Sequence, residues 1–313
     1  MNGILNVLKP AGMTSFDVVA VLRKISGQKK IGHTGTLDPS AVGVLPICLG
    51  NATKAIEFMI DKDKVYRAEL TLGVATDTQD SCGKVIFSHT VDADHTSILN
   101  VVMGFVGEIQ QLPPMYSAIK IGGKKLYEIA RLGETIERQT RSINIFDINV
   151  IRIWDENSVF SDGEKITEYT TKKVLLDIHC SKGTYIRTLC HDIGEKLGCG
   201  GHMSFLVRTR AGKYDLDSAL TLEQIKELAN KNSLSSSLLP VETVFELYDC
   251  ISLGDADTFK YNNGTLVEFV CDNCDMKAYK RVYDKSGVFL GIGELSLTGQ
   301  VVYLKSKKFF RDN

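Results

Sequence analysis

The sequence has no surplus of positive charge. Lysine and arginine number 37, aspartate and glutamate 38, for a formal net charge of −1. That excludes a uniformly basic nucleic-acid binder; any RNA contact needs its cations gathered on one face. Long apolar runs are also missing, and none reaches the roughly 20 residues of a membrane-spanning helix. The opening MNGILNVLKP has no basic region followed by an apolar stretch. No signal peptide is expected, and the chain reads as cytoplasmic. The eight cysteines are scattered, which fits reduced thiols rather than a disulfide framework. Cys271 and Cys274 form a C-x-x-C, but no second close pair completes a zinc site. They read as buried or incidental thiols. No repeat or low-complexity tract is present.

What is there is an ordinary globular composition, 43% hydrophobic and 24% charged. A chain of 313 residues suits one large domain plus a small one. The pattern of elements is mixed. Gly3 to Leu8 reads as a strand, and Thr14 with Asp17 as a capping box opening a helix that Gly27 stops. Leu45 to Leu49 is a short buried strand, and Asn51 is placed to cap a helix from Ala52 to Ile60. Val65 to Leu72 alternates, with Tyr66, Ala68, Leu70 and Leu72 on one face. Gly73 to Gly83 and Asp155 to Thr171 read as polar loops. His95 to Val106 is a helix. Gly122-Gly123 closes a tight hairpin. Ser142 to Ile153 is a strand with a bulge between Ile145 and Ile148, and Lys173 to Cys180 another. Tyr185 to Leu197 is a helix whose apolar stripe leaves Arg187 off it. Met203 to Thr209 is a strand, and Thr221 caps a further helix. Asn232 to Ser237 reads as a linker, and beyond about Tyr248 short glycine-separated strands read as a small all-β unit.

The stretch IGHTGTLDPS, Ile31 to Ser40, has no hydrophobic face. Gly32 and Gly35 permit bends or close approach, and Pro39 biases Asp38 toward an extended conformation. On local pattern alone this is an Asp-Pro turn. A carboxylate held extended on such a loop is also well placed to project into a cleft. Between Lys120 and Arg141 stand six cations (Lys120, Lys124, Lys125, Arg131, Arg138, Arg141) against Glu128, Glu134 and Glu137. This is a candidate phosphate-contacting arm or a solvated basic face.

Several separated motifs bring these pieces together. GHTGTLDPSAVGVLPICLGNATK, KVYRAELTLGVATDTQD, PPMYSAIKIGGKKLYEIARLG, HCSKGTYIRTLCHDIGEKLG and HMSFLVRTRAG, with NVLKPAGMTS before them, resemble the bacterial tRNA pseudouridine synthases of the TruB family. The segment after Tyr248 is similar to the family's small PUA-like domain. The resemblance implies an α/β (α+β) fold: a mixed, largely antiparallel sheet forming a catalytic domain (1–247) around a central cleft, and a small C-terminal β-barrel RNA-binding domain (248–313). It also implies isomerisation of uridine 55 in the T arm of tRNA by base flipping, with no metal, nucleotide or redox cofactor, no protein partner and a monomeric state.

By its place in GHTGTLDP, Asp38 matches the family's nucleophile; a carboxylate suits attack on a sugar or stabilisation of its cation. Attack on C1′, attack on C6 and removal of a sugar proton are all open to it. Tyr66 matches the aromatic that stacks on the target base; on pattern alone it is an interior tyrosine. Arg187 matches the partner of the aspartate, and an arginine beside a carboxylate lowers its pKa. His33 matches the residue at the flipped nucleotide, a step the folded target loop requires. Tyr185 and Leu206 match the lining of the uracil pocket, though their pattern reads as core. Lys9, Lys124, Lys125 and Arg131 match phosphate contacts, and Asp80 an acidic position, read here as structural or salt-bridging. The competing readings are a non-catalytic tRNA-binding or tRNA-folding module on the same scaffold, and a carboxylate-dependent nucleoside hydrolase, which would release free uracil.

Overall fold

The computed structural model describes residues 1–161, 166–270, 276 and 278–310. Its main sheet runs, in spatial order, Gly3–Lys9, Val42–Leu49, Gly201–Ala211, Lys64–Leu72, Ile166–Cys180, Arg141–Ser161 and Gly107–Gln111. Every pairing along this path is antiparallel except one, Val207 with Val42 and Arg208 with Gly43, in mid-sheet. The mixed, largely antiparallel sheet expected from the sequence is therefore present.

Local chemistry accounts for most elements. Thr14 and Asp17 make the reciprocal capping box of the helix Ser15–Ser26, and Gly27 ends it at φ 65°. Val18, Val19 and Leu22 of that helix, with Ile225 of the helix Leu222–Asn230, cover Leu5, Val7, Leu45 and Ile47. On the other half of the sheet, Ile98 and Val102 of His95–Met103 and Leu189 and Ile193 of Ile186–Lys196 pack on Ala68, Leu70, Val174 and Leu176. Tyr66, Ala68, Leu70 and Leu72 are buried, as their alternation requires. The Gly122-Gly123 hairpin joins Lys120–Ile121 to Lys124–Lys125, and the register of Arg141–Ser161 shifts between Ile145 and Asp147.

Four expectations are corrected. Asp155 to Thr171 is not a loop. Where described, it is a two-stranded ribbon continuing the hairpin of Arg141–Ser161 and Ile166–Cys180, with Thr171 opposite Glu156 and Thr170 opposite Asn157. Its polarity suggested a loop, but Tyr169, Thr170 and Thr171 are residue types enriched in strands. Within Gly73 to Gly83, Val74–Thr76 pairs with Val85–Ser88. Asn51 does not stand at a helix N-cap; it lies inside a 3-10 turn, Gly50–Ala55, that leads into the helix Ile56–Ile60. Asn232 to Ser237 is not a free linker, because Leu234 is buried in the core and the backbones of Ile4 and Leu239 bond each other at 2.9 and 2.8 Å.

The C-terminal unit is a second sheet, in the order Cys250–Leu253, Lys280–Asp284, Phe289–Thr298, Val301–Phe309 and Val267–Phe269, curled into a half-barrel. It also holds a helix, Asp255–Asn262, that an all-β reading omits. Phe245 packs its ring against Phe289 and Phe310, so the two sheets share an apolar seam with Ile4, Met59 and Tyr214. Cys271 and Cys274 lie outside the described residues. No helix among the described residues is long and apolar enough to cross a membrane.

Candidate active site

The site lies over the parallel junction of the main sheet. The loop carrying Asp38 follows the strand Ile31–His33 and is held by buried groups along its length. Ser15, at the start of its helix, accepts the Leu37 N–H at 2.9 Å and its hydroxyl reaches the Leu37 carbonyl at 3.3 Å. Gly12 N–H donates to the Pro39 carbonyl at 2.8 Å. Lys9, wholly buried, donates to the carbonyls of Pro10, Met13 and Pro39 at 2.8, 2.6 and 3.3 Å. Three carbonyls engage the three N–H bonds of its ammonium. Lys9 thus ties loop to loop, and the structure does not present it to a phosphate. Burial lowers its pKa to about 8, against the pull of Asp38.

Arg187 is the hub. It stands in the first turn of the helix Ile186–Lys196, where the helix dipole disfavours a cation, and it is only 5% exposed. Four acceptors compensate. Nε meets Asp38 Oδ2 at 2.8 Å. Nη1 donates to the Thr78 carbonyl at 3.3 Å and lies 3.8 Å from Asp80 Oδ2. Nη2 donates to the Tyr116 carbonyl at 2.9 Å. One guanidinium therefore gathers three sequence-distant stretches around the carboxylate. Asp80 is in turn held by the Thr78 hydroxyl at 2.7 Å and the Cys82 N–H at 3.0 Å, in keeping with a salt-bridging role.

The electrostatics depart from the simple pairing rule. Burial pushes the Asp38 carboxyl above its ordinary value; the Arg187 charge opposes this and Asp80 reinforces it. Desolvation outweighs the ion pair, so the lowered pKa expected of an aspartate beside an arginine is not found. Arg187 limits the rise and orients the carboxylate.

Tyr66 stands on the same face, 9% exposed, directly across from Arg208 in the sheet register. Burial raises its pKa, so the phenol is neutral. Leu206 is buried opposite Ala68 and packs in the same cluster as Tyr66 and Leu37. His33 is half-buried, its pKa lowered by burial and by Arg208; its Nδ1 has no hydrogen-bond partner among the described residues. Tyr185 is half-buried. Its backbone N–H and C=O are both taken by the Gln111 side chain, at 2.8 and 3.0 Å. The structure thus brings Asp38, Arg187, Asp80 and Lys9 together, with Tyr66 and His33 beside them around Arg208.

The arm stands apart. Lys124 and Arg131 are exposed, and both Lys125 and Arg131 lie over the Tyr127 ring, 5.3 and 5.4 Å from its centroid. At its base a cavity of about 360 Å³ is lined by Lys120, Arg138 and Arg141 together with Ile119 and Leu126. Arg138 is partly committed, donating to the Pro113 carbonyl at 2.8 Å.

Two residues have site roles that sequence reasoning missed. Arg208 is 2% exposed and bonds the carbonyls of Val44, Gly35 and Thr36 at 2.7, 3.2 and 3.5 Å. The signal for it was available: it lies two residues beyond Leu206, so strand alternation turns it inward with that leucine. For Gln111, nothing local marked a docking role.

Fold and site together define a mixed α/β scaffold with a buried carboxylate–guanidinium pair over its main sheet, and comparison with known proteins gives its family. A family model described as TruB family pseudouridylate synthase (N terminal domain) matches residues 23–186. A second, described as tRNA pseudouridylate synthase B C-terminal domain, matches residues 187–246. The tRNA pseudouridine synthase B of Clostridioides difficile is 43% identical over 319 residues, covering 99% of this chain and 100% of that one. That of Alkaliphilus oremlandii is 53% identical over 242 residues, 77% of this chain and 75% of the other. Among solved structures, a chain of a Cbf5-Nop10-Gar1 complex superposes with a TM-score of 0.70 at 25% identity, covering 99% of this chain and 85% of that one. The protein belongs to the TruB family of pseudouridylate synthases and is an enzyme of the isomerase class.

Proposed function

We propose that the protein converts uridine 55 in the T arm of tRNA to pseudouridine. The observation that carries this reading is the Asp38–Arg187 pair, around which the Thr78–Asp80 and Tyr116 stretches close. In the reaction the C1′–N1 bond breaks, the uracil turns, and a C1′–C5 bond forms. The C5 proton leaves to solvent and N1 regains one, so no external oxidant or reductant is consumed. Asp38 supplies the anion at C1′, at C6 or at a sugar proton; each route needs it ionised. Arg187 orients it and restrains the rise in its pKa. The base must leave its folded loop to reach Asp38; Tyr66 stacks on it, His33 meets the flipped nucleotide, and Tyr185 and Leu206 line its pocket.

Lys124, Lys125 and Arg131 hold phosphates from the arm, and residues 248–313 act as a PUA-like RNA-binding domain beside a catalytic domain of residues 1–247. The protein acts on tRNA in the cytoplasm as a monomer, with no cofactor. Incubation with tRNA carrying tritium at C5 of uridine tests the chemistry: stoichiometric tritium release without free uracil supports it. Binding without release means a tRNA-binding module, and free uracil a hydrolase.

A further inference from the structure

We infer that Arg208 is a positioning residue that holds the Asp38 loop and the Tyr66 ring in one frame; the inference rests on the function proposed above. A guanidinium that is 2% exposed is costly to bury, and packing alone would be better served by an apolar side chain of the same length. Its donors are spent on structure that surrounds the chemistry. Nε donates to the Val44 carbonyl at 2.7 Å, in the strand behind the loop. Nη2 and Nη1 donate to Gly35 and Thr36, three and two residues before Asp38, at 3.2 and 3.5 Å.

The third direction is Tyr66. Arg208 and Tyr66 are cross-strand partners, so their side chains leave the sheet on the same face, and the guanidinium charge opposes the rise that burial imposes on the phenol pKa. The close approach is built into the backbone. Gly43 pairs with Arg208 in the parallel junction, at φ +117°, and a Cβ there would fall 2.3 Å from the Arg208 carbonyl oxygen. No larger residue fits, so the strand Gly201–Ala211 sits tight against Val42–Leu49 and the side chain reaches under the loop. Lys9 grips the same loop at Pro39 from the other side, but has no bond to Tyr66. Arg208 faces both: its donors hold Gly35 and Thr36 of the loop, and its strand position sets it across from Tyr66.

The test compares wild type with Arg208→Lys, Tyr66→Phe and the double variant. Melting temperature, affinity for unmodified tRNA and single-turnover rate at saturating tRNA are measured for each. An ammonium keeps the charge but cannot replace a planar fork serving three carbonyls beside the phenol. The expected result is a folded Arg208→Lys protein with near wild-type affinity and a rate reduced by roughly 100-fold, the scale of a 1 Å misplacement. The double variant should be slower than Tyr66→Phe by much less than that factor, since part of the role of Arg208 passes through the phenol. A wild-type rate in Arg208→Lys overturns the inference. So does a loss of rate, affinity and stability in equal step, which is the mark of packing alone. A readout without RNA separates this from the functional reading: in protein labelled at the tyrosine Cζ, the Tyr66 resonance, assigned by its loss in Tyr66→Phe, should move in Arg208→Lys. If wild type makes no pseudouridine, the proposed function fails, and an unmoved Tyr66 resonance would still refute the Arg208–Tyr66 link.

Discussion

Replacing Asp38 by Asn keeps the shape of the side chain and removes its charge. Asp38→Asn should bind tRNA as wild type does and give no product in a single turnover; wild-type product would remove Asp38 from the mechanism. The Arg187 contact makes a pH prediction whose sign follows from the site. Burial already raises the Asp38 pKa, and Arg187 opposes that rise. Arg187→Met removes the opposing charge, so the pKa climbs further and a smaller fraction of Asp38 is ionised at neutral pH. The acid limb of the pH–rate profile at saturating tRNA should therefore shift to higher pH, and part of the lost rate should return as pH rises. A rate reduced by the same factor at every pH would leave orientation as the only role of Arg187. Arg187→Lys should recover little, because one ammonium cannot satisfy Asp38 together with the Thr78 and Tyr116 carbonyls. The Asp38–Arg187 pairing was legible because both residues sit in distinctive motifs. Their energetics were less so. The motif gave Arg187 a partner, but the degree of burial that reverses the expected pKa shift is a property of the packed loop. Lys9 shows the same limit: a lysine in a turn reads as a surface cation until three carbonyls are seen around it.

At the scale of elements, cap and alternation signals carried far. The capping box at Thr14, the cap at Thr221 and the inward face of Lys64–Leu72 stand as the sequence implies. The ribbon beyond Asp155 was missed because hydrophobic periodicity reports burial, and an unburied hairpin has none to report. The arm is the element with the sharpest consequence. If Lys124, Lys125 and Arg131 contact phosphates, neutralising all three should weaken tRNA binding and flatten its log–log salt slope by roughly two to three units. The single-turnover rate at saturation should change little. A salt slope equal to that of wild type would make the arm a solvated basic face, with Lys125 and Arg131 merely resting on Tyr127.

For the whole molecule, near-neutral net charge means that binding RNA depends on where cations are placed. The C-terminal sheet is joined to the rest through Phe245, Phe289 and Phe310, a seam that the change of texture near Tyr248 did not reveal. Chain texture reports local elements, and this packing joins residues far apart in sequence. Ending the chain before Tyr248 should leave a folded catalytic domain with weaker tRNA binding. Its melting temperature should fall, since stripping cover from Phe245 and its neighbours costs roughly 1.5–3 kcal/mol per large side chain. Loss of any cooperative transition would show one shared core instead. The central claim is the site of action on the substrate, and positional mapping of pseudouridine tests it most directly. Unmodified tRNA incubated with the wild-type protein should carry one pseudouridine per molecule, at position 55 in the T arm, and none when Asp38→Asn is used. Pseudouridine only at other positions, or none at all, would contradict the account.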